Sequence, residues 1–142
     1  MNEALLQLHS YLRWVVLLLL VICLFMAIAK NQSVRSASLW LMISAHTMLL
    51  IGLYQVINGA NGFLKVTLPP GEKLMKNTFY RFFWVEHPLT MIIAIILITV
   101  ARRKAKALNY KAVSWLLFIA LLLIFAAIPW PFREGVARPW IR

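Results

Sequence analysis

Four long apolar segments follow one another along the chain, and short polar or basic segments separate them. Each apolar segment approaches the roughly 20 residues that a helix needs to cross the hydrocarbon layer of a bilayer. The pattern therefore predicts an all-α fold: an integral membrane protein built as an up-down bundle of four transmembrane helices. All 142 residues form one domain in this interpretation. The predicted helices cover residues 4–29, 39–57, 81–101 and 112–130.

The first and third predicted helices carry polar residues close to their beginnings. Trp14 to Ala29 would span only about 24 Å at 1.5 Å per residue, which is less than the roughly 30 Å of the hydrocarbon layer. The first helix therefore has to begin earlier, which draws Arg13 to the interface. In the third helix, Pro88 removes a backbone donor and predicts a kink. Residues 73–80 are expected to form a short interfacial helix before it.

The composition agrees with a membrane protein. Hydrophobic residues make up 63% of the chain and charged residues only 13%, and the mean hydropathy is +0.81, whereas soluble domains are about 25% charged. The net charge of +11 would suggest nucleic acid as a partner of a soluble protein. Here the basic residues lie in loops between apolar segments, where they set topology and meet lipid headgroups. We therefore predict the lipid bilayer, and no nucleic acid, as a partner.

The distribution of basic residues predicts an orientation. The segments 30–38 and 102–111 hold seven Lys and Arg residues, a high density for two short loops. Short loops rich in Lys and Arg stay in the cytoplasm. The sequence therefore predicts a multi-pass protein of the plasma (inner) membrane with both termini on the extracytoplasmic side.

Two histidines are predicted to lie at the same depth. His9 and His87 each lie about six residues inside a helix, or roughly 9 Å below the outer surface. The first and third helices of an up-down bundle are diagonal and parallel, so the two imidazoles can face each other across the core. That geometry suits the two axial ligands of a haem iron. Arg13, and Arg81 at the rim, are expected to neutralise the haem propionates.

Other polar residues of the predicted helices leave alternatives open. His46 lies near the middle of the second helix, and Tyr54 is expected to line one side of a pocket whose back is His46. His46 is then either an alternative iron ligand or a hydrogen bonder between helices. Glu86 is expected to pair with Arg13 at a similar depth, or with Arg81, because a charge at membrane depth needs a partner.

Three short motifs carry a resemblance to known proteins. They are Leu8-His9-Ser10-x-Leu12-Arg13-Trp14, His46 in the second helix, and Val85-Glu86-His87-Pro88-Leu89-Thr90-Met91. The chain resembles small bacterial four-helix membrane proteins labelled cytochrome b-like, and more distantly four-helix b-type cytochromes and copper-resistance membrane proteins. The resemblance implies histidines that bind haem b and electrons that pass to or from quinone or a partner protein. The chain has three histidines, so it can hold at most one haem with two histidine ligands.

Two functions remain open at this level. The first is a haem b-binding membrane electron-transfer protein or subunit of a respiratory-type complex. The second is a non-catalytic accessory or assembly subunit of a larger membrane complex, in which the polar groups fix helix packing. A transporter would need a continuous polar path, and the fourth helix is almost wholly apolar. The sequence contains no P-loop and no Gly-x-Gly-x-x-Gly, Gly-x-Ser-x-Gly or Cys-x-x-Cys motif, and it leaves open whether the chain is an enzyme.

Overall fold

The computed structural model describes residues 2–141, with every side chain in this range except that of Asn2. Within it, four helices are long and apolar enough to cross a membrane, and there is no β-strand. The predicted all-α fold with four such helices is therefore confirmed. In chain order the helices are α1 (Asn2–Ile28), α2 (Val34–Asn58), α3 (Thr78–Lys106) and α4 (Tyr110–Ala127).

The four helices form a ring in which each packs against two neighbours. α1 packs against α2 and α4, and α3 packs against the same two helices. α1 and α3 are therefore diagonal partners, as an up-down bundle requires. One end of the bundle carries residues 59–77 and the C-terminal residues 128–141, and we call it the tail end. The other end carries the connections 29–33 and 107–109, and we call it the short-loop end.

Aliphatic and small side chains fill the interior. Seven buried alanines allow the helix backbones to approach closely, as small residues do in membrane bundles. They are Ala27, Ala45, Ala94, Ala101, Ala105, Ala120 and Ala127. Larger side chains close the remaining space, among them Leu20, Leu41, Ile98 and Leu117, each at most 1% exposed.

Both turns at the short-loop end use the same backbone device. Lys30 and Leu108 each follow a helix and have a left-handed backbone, with φ of 54° in both cases. The amides of Asn31 and Asn109 donate to carbonyls five residues earlier, those of Met26 and Lys104. This is the Schellman arrangement, which satisfies carbonyls at the end of a helix. Two tight reversals therefore join α1 to α2 and α3 to α4.

Several helix ends differ from the prediction. α2 begins at Val34, five residues before the predicted start. α3 continues five residues past the predicted end, to Lys106, because Lys and Arg favour helices and suit the negative end of the helix dipole. α4 ends at Ala127, three residues early. Ile128 is extended there, as is usual for a residue that precedes proline.

The start of α3 contains an irregular helical turn close to Pro88, where a kink was predicted. Residues Phe82–Glu86 form a π-helical turn, and the His87 amide donates to the Phe82 carbonyl five residues earlier. A wider turn of this kind often lies at functional sites, and here it ends two residues before Pro88, which has no amide to donate. The expected interfacial helix over 73–80 is reduced to a 3₁₀ turn at Leu74–Lys76, and Thr78 already belongs to α3.

Candidate functional site

The C-terminal residues fold back over the tail end of the bundle. The carbonyl of Trp140 accepts hydrogen bonds from the Arg13 guanidinium and from the Trp14 indole, the latter at 3.1 Å. The Trp14 and Trp140 rings stack at 6.2 Å between centroids. Val136 is buried at 3% exposure. The tail therefore packs against the first half of α1, at this end of the bundle.

A cavity of about 200 Å³ lies at this end among all four helices, and Arg138 of the tail forms part of its wall. Apolar side chains make up most of its wall, with polar groups at a few points. The polar lining includes Glu3, His9, Arg13, Gln55, His87 and Arg138. Ligand pockets in proteins have this character: a mostly apolar cleft with a few convergent polar groups that fix the orientation of the ligand.

His9 on α1 and His87 on α3 face each other inside the cavity. Their ring centroids are 6.4 Å apart, and the ring planes are inclined by 62°. The structure thus brings together the two histidines that the depth argument placed at one level. Their approach depends on the diagonal arrangement of α1 and α3.

The ring of His87 is held by a single backbone group. Its Nδ1 lies 2.7 Å from the carbonyl oxygen of Ala127 at the end of α4. A carbonyl can only accept, so Nδ1 carries the proton, and Nε2 of the neutral ring keeps its lone pair. Metal-binding histidines are commonly oriented in this way, with the second ring nitrogen donating to a carbonyl.

His9 fits closely against α2. A Cβ placed on Gly52 would lie 3.1 Å from Cε1 of His9, so the missing side chain of this glycine makes room for the imidazole. The backbone of Met48, one turn away, is near enough to interact with the ring, but no hydrogen bond of ordinary geometry reaches Nδ1. A larger residue at position 52 would displace His9.

Three buried side-chain nitrogens in the described chain have no hydrogen-bond partner: His9 Nδ1, Arg13 Nε and Gln55 Nε2. All three residues line the same cavity. Buried polar atoms are almost always bonded, and each exception calls for an explanation. Their concentration in one cavity is what a site that completes its hydrogen bonds with a ligand would present.

Arg81 and Glu86 do not take part in this site. Arg81 Nε donates to the Glu86 carboxylate at 2.7 Å, and both side chains are partly exposed. A second Arg81 nitrogen donates to the Met75 carbonyl. The expected Arg13–Glu86 pair is therefore wrong, and the alternative Arg81–Glu86 pair is present. The π-helical turn explains it, because residues five apart come closer in azimuth there than in an α-helix.

The expected placement of His46 and Tyr54 around a pocket is also wrong. Both side chains are exposed on the outer side of α2, and neither lines the cavity. His46 Nδ1 bonds to the Met42 carbonyl of its own helix at 2.8 Å, not to another helix. Across the described residues there is no cluster of three or more His, Cys, Asp and Glu side chains that could hold a metal. An iron at this site would therefore have to rely on the His9–His87 pair.

Sequence reasoning did not single out Gly52, Gln55 or Arg138. Gly52 had a detectable signal, since a glycine inside a helix costs about 1 kcal/mol relative to alanine and often marks a close approach. Gln55 lies one turn further along the same helix and shares its face. Arg138 had no such signal, because its position depends on the fold of the tail.

Comparison of the chain with family models, curated proteins and solved structures finds no match. The geometry of the cavity is therefore the basis on which a function can be assigned.

Proposed function

We propose that the protein binds one b-type haem through His9 and His87 and acts as a membrane electron-transfer protein or subunit. The observation that carries this proposal is the facing pair of imidazoles. The His9 and His87 rings lie 6.4 Å apart between centroids, a separation at which both imidazoles could bind one metal ion through bonds of about 2 Å.

Residues of this chain fit the needs of such a group in three ways. The His87 ring is fixed by the Ala127 carbonyl, which sets its tautomer and raises its basicity as a ligand. The unpartnered Arg13 Nε supplies a donor for a carboxylate. Arg138, and not Arg81, is the second arginine of the cavity lining, so we assign the neutralisation of propionates to Arg13 and Arg138.

A bound haem would supply one-electron transfer. The surrounding chain would hold it, shield it from water and determine which partner reaches it. The mostly apolar wall of the cavity would limit the contact of the group with water, and low solvent access tunes a redox centre. Four helices able to cross a membrane favour quinone, or another subunit of a respiratory-type complex, as the electron partner.

We further propose that the short-loop end faces the cytoplasm, so that the candidate site lies on the extracytoplasmic side of the plasma (inner) membrane. The support is the density of Lys and Arg in the segments 30–38 and 102–111. Alkaline phosphatase joined after residue 142 should be active, and the same reporter joined at Lys106 should be inactive. The reverse pattern would contradict the orientation.

The haem proposal is tested by the visible spectrum of protein purified after expression with ample haem. We expect a Soret band and low-spin spectra in both redox states. His9→Gly and His87→Gly should each abolish or shift the band, and added imidazole should partly restore it, which a merely misfolded variant would not allow.

His46→Ala is the matched control, since the third histidine faces away from the cavity, and it should leave the spectrum unchanged. If His46→Ala alone removes the band, the ligand assignment is wrong. If the unaltered protein has no Soret band, the electron-transfer proposal fails. The accessory or assembly subunit then becomes the better account, with His9 and His87 stabilising helix packing.

A further inference from the structure

The outer surface of α2 carries a histidine at the middle of the helix. His46 is the thirteenth of the 25 residues of α2, about 18 Å from either end at 1.5 Å per residue. Its side chain is exposed on the side of α2 that faces away from the bundle. In a spanning helix, this position lies at the centre of the hydrocarbon layer, where polar side chains normally have a partner.

Only one of the two ring nitrogens of His46 has a hydrogen-bond partner among the residues that the structure describes. Nδ1 lies 2.8 Å from the Met42 carbonyl, so Nδ1 carries the proton in the neutral ring and Nε2 is left as an acceptor. Among the described residues, none donates a hydrogen bond to this Nε2. Lipid tails offer no donor, so a donor for this acceptor would have to come from another protein chain.

A donor lies beside His46 on the same outward surface. Thr47 is exposed, and its hydroxyl bonds to the Ile43 carbonyl of its own helix at 2.9 Å. To donate to another acceptor, the hydroxyl would have to rotate away from the Ile43 carbonyl, which still accepts the backbone hydrogen bond of the helix. Thr47 belongs to a seam of exposed residues that recur every four or three positions along α2. The seam is formed by Ser36, Trp40, Ile43, Thr47, Leu50 and Tyr54.

A second copy of this chain matches that seam. When two parallel helices pack through such a repeat, each seam residue inserts among four residues of the other helix. Two of those four are the equivalent seam residue of the other helix and the residue that precedes it in the sequence. Thr47 would therefore meet His46 of the other copy. A two-fold axis makes the contact twice, so each hydroxyl reaches one unpartnered Nε2.

We propose that the protein forms a parallel two-fold dimer through the outer face of α2, with Thr47 of each copy donating to His46 Nε2 of the other. The proposal is independent of the haem proposal, because His46 and Thr47 do not line the cavity.

Cysteine cross-linking in native membranes tests the interface. Cys23 is the chain's single cysteine and is buried, so a Cys23→Ala background leaves one introduced thiol. We expect oxidation with copper–phenanthroline to give a covalent dimer from Leu50→Cys, in the seam. Leu18→Cys on α1 and Leu122→Cys on α4 are matched controls, with exposures of 62% and 54% against 70% for Leu50, and should give little dimer.

Side-chain chemistry is tested in the Leu50→Cys protein. His46→Leu and Thr47→Val should each remove both symmetric bonds and weaken the dimer about tenfold, if each bond has the average strength of hydrogen bonds between membrane helices. His46→Gln keeps an acceptor and should retain more dimer than His46→Leu. Three results would each overturn the proposal. They are equal cross-linking at all three cysteine positions, cross-linking to a different protein, and no dimer at position 50.

Discussion

At the short-loop end of the bundle, the four helices meet through apolar side chains with almost no exposed surface, such as Leu20, Ile98 and Leu117. At the tail end, the same helices enclose a cavity of about 200 Å³. Two histidines approach each other there, and three buried nitrogens lack partners. The segments that connect the helices also differ between the two ends. Two tight turns close the short-loop end, whereas a long connection and a folded-back tail cover the other.

The contrast separates a closely packed end from an end that encloses a cavity lined by unpartnered buried nitrogens. Close packing of apolar side chains stabilises the short-loop end without any ligand. Burying a polar atom without a hydrogen bond costs about 1–3 kcal/mol, so we expect the three unpartnered nitrogens of the tail end to make this end less stable than the packed end. A bound group that supplied the missing hydrogen bonds would offset this cost. Stability and function should therefore respond to substitutions at opposite ends of the bundle.

The largest effect on stability is expected from the packed end. Leu117→Ala removes a fully buried side chain and should lower the free energy of unfolding by about 2 kcal/mol, mainly through the cavity that it leaves. Part of the usual hydrophobic contribution is absent, since lipid is as apolar as leucine. Unfolding in mixed micelles by denaturant would measure the change.

Leu122→Ala is the matched control, because it makes the same substitution on the same helix at a side chain that is 54% exposed. Its effect should be within about 0.5 kcal/mol of zero. Leu117→Ala should also leave the haem spectrum intact, because Leu117 does not line the cavity. If the two alanine variants lose equal stability, the short-loop end is not packed as described.

The sequence was sufficient to predict the four helices, because each is a nearly unbroken apolar segment. It was less informative about how each helix is rotated. Where all sides of a helix are apolar, as in much of α2, the pattern does not say which side faces the bundle. His46 and Tyr54 were expected to face a pocket, yet both are on the outer side.

The candidate site was partly predictable for a related reason. Depth along a helix follows directly from residue count, so the common level of His9 and His87 could be predicted. Contacts that depend on long-range folding could not be predicted from the sequence. Arg138 reaches the cavity because the tail folds back, and Arg81 pairs with Glu86 because α3 contains a π-helical turn. Neither event leaves a clear pattern in the sequence.

A smaller effect of opposite sign would sharpen the contrast between the two ends. Gln55→Met replaces the buried, unpartnered Nε2 with an apolar chain of similar length. In haem-free protein it should raise the free energy of unfolding by about 1 kcal/mol, since the cost of an unsatisfied buried amide disappears. Thr99→Val is the control from the short-loop half of α3, where the hydroxyl already bonds to the Ile95 carbonyl at 2.8 Å, and it should bring no gain in the free energy of unfolding.

The same Gln55→Met substitution should weaken haem retention, measured by the rate of haem transfer to apomyoglobin, if Gln55 bonds the ligand. Destabilisation of the haem-free protein by Gln55→Met would mean that the fold itself satisfies this amide, and the tail end would then resemble the short-loop end in being complete without a ligand.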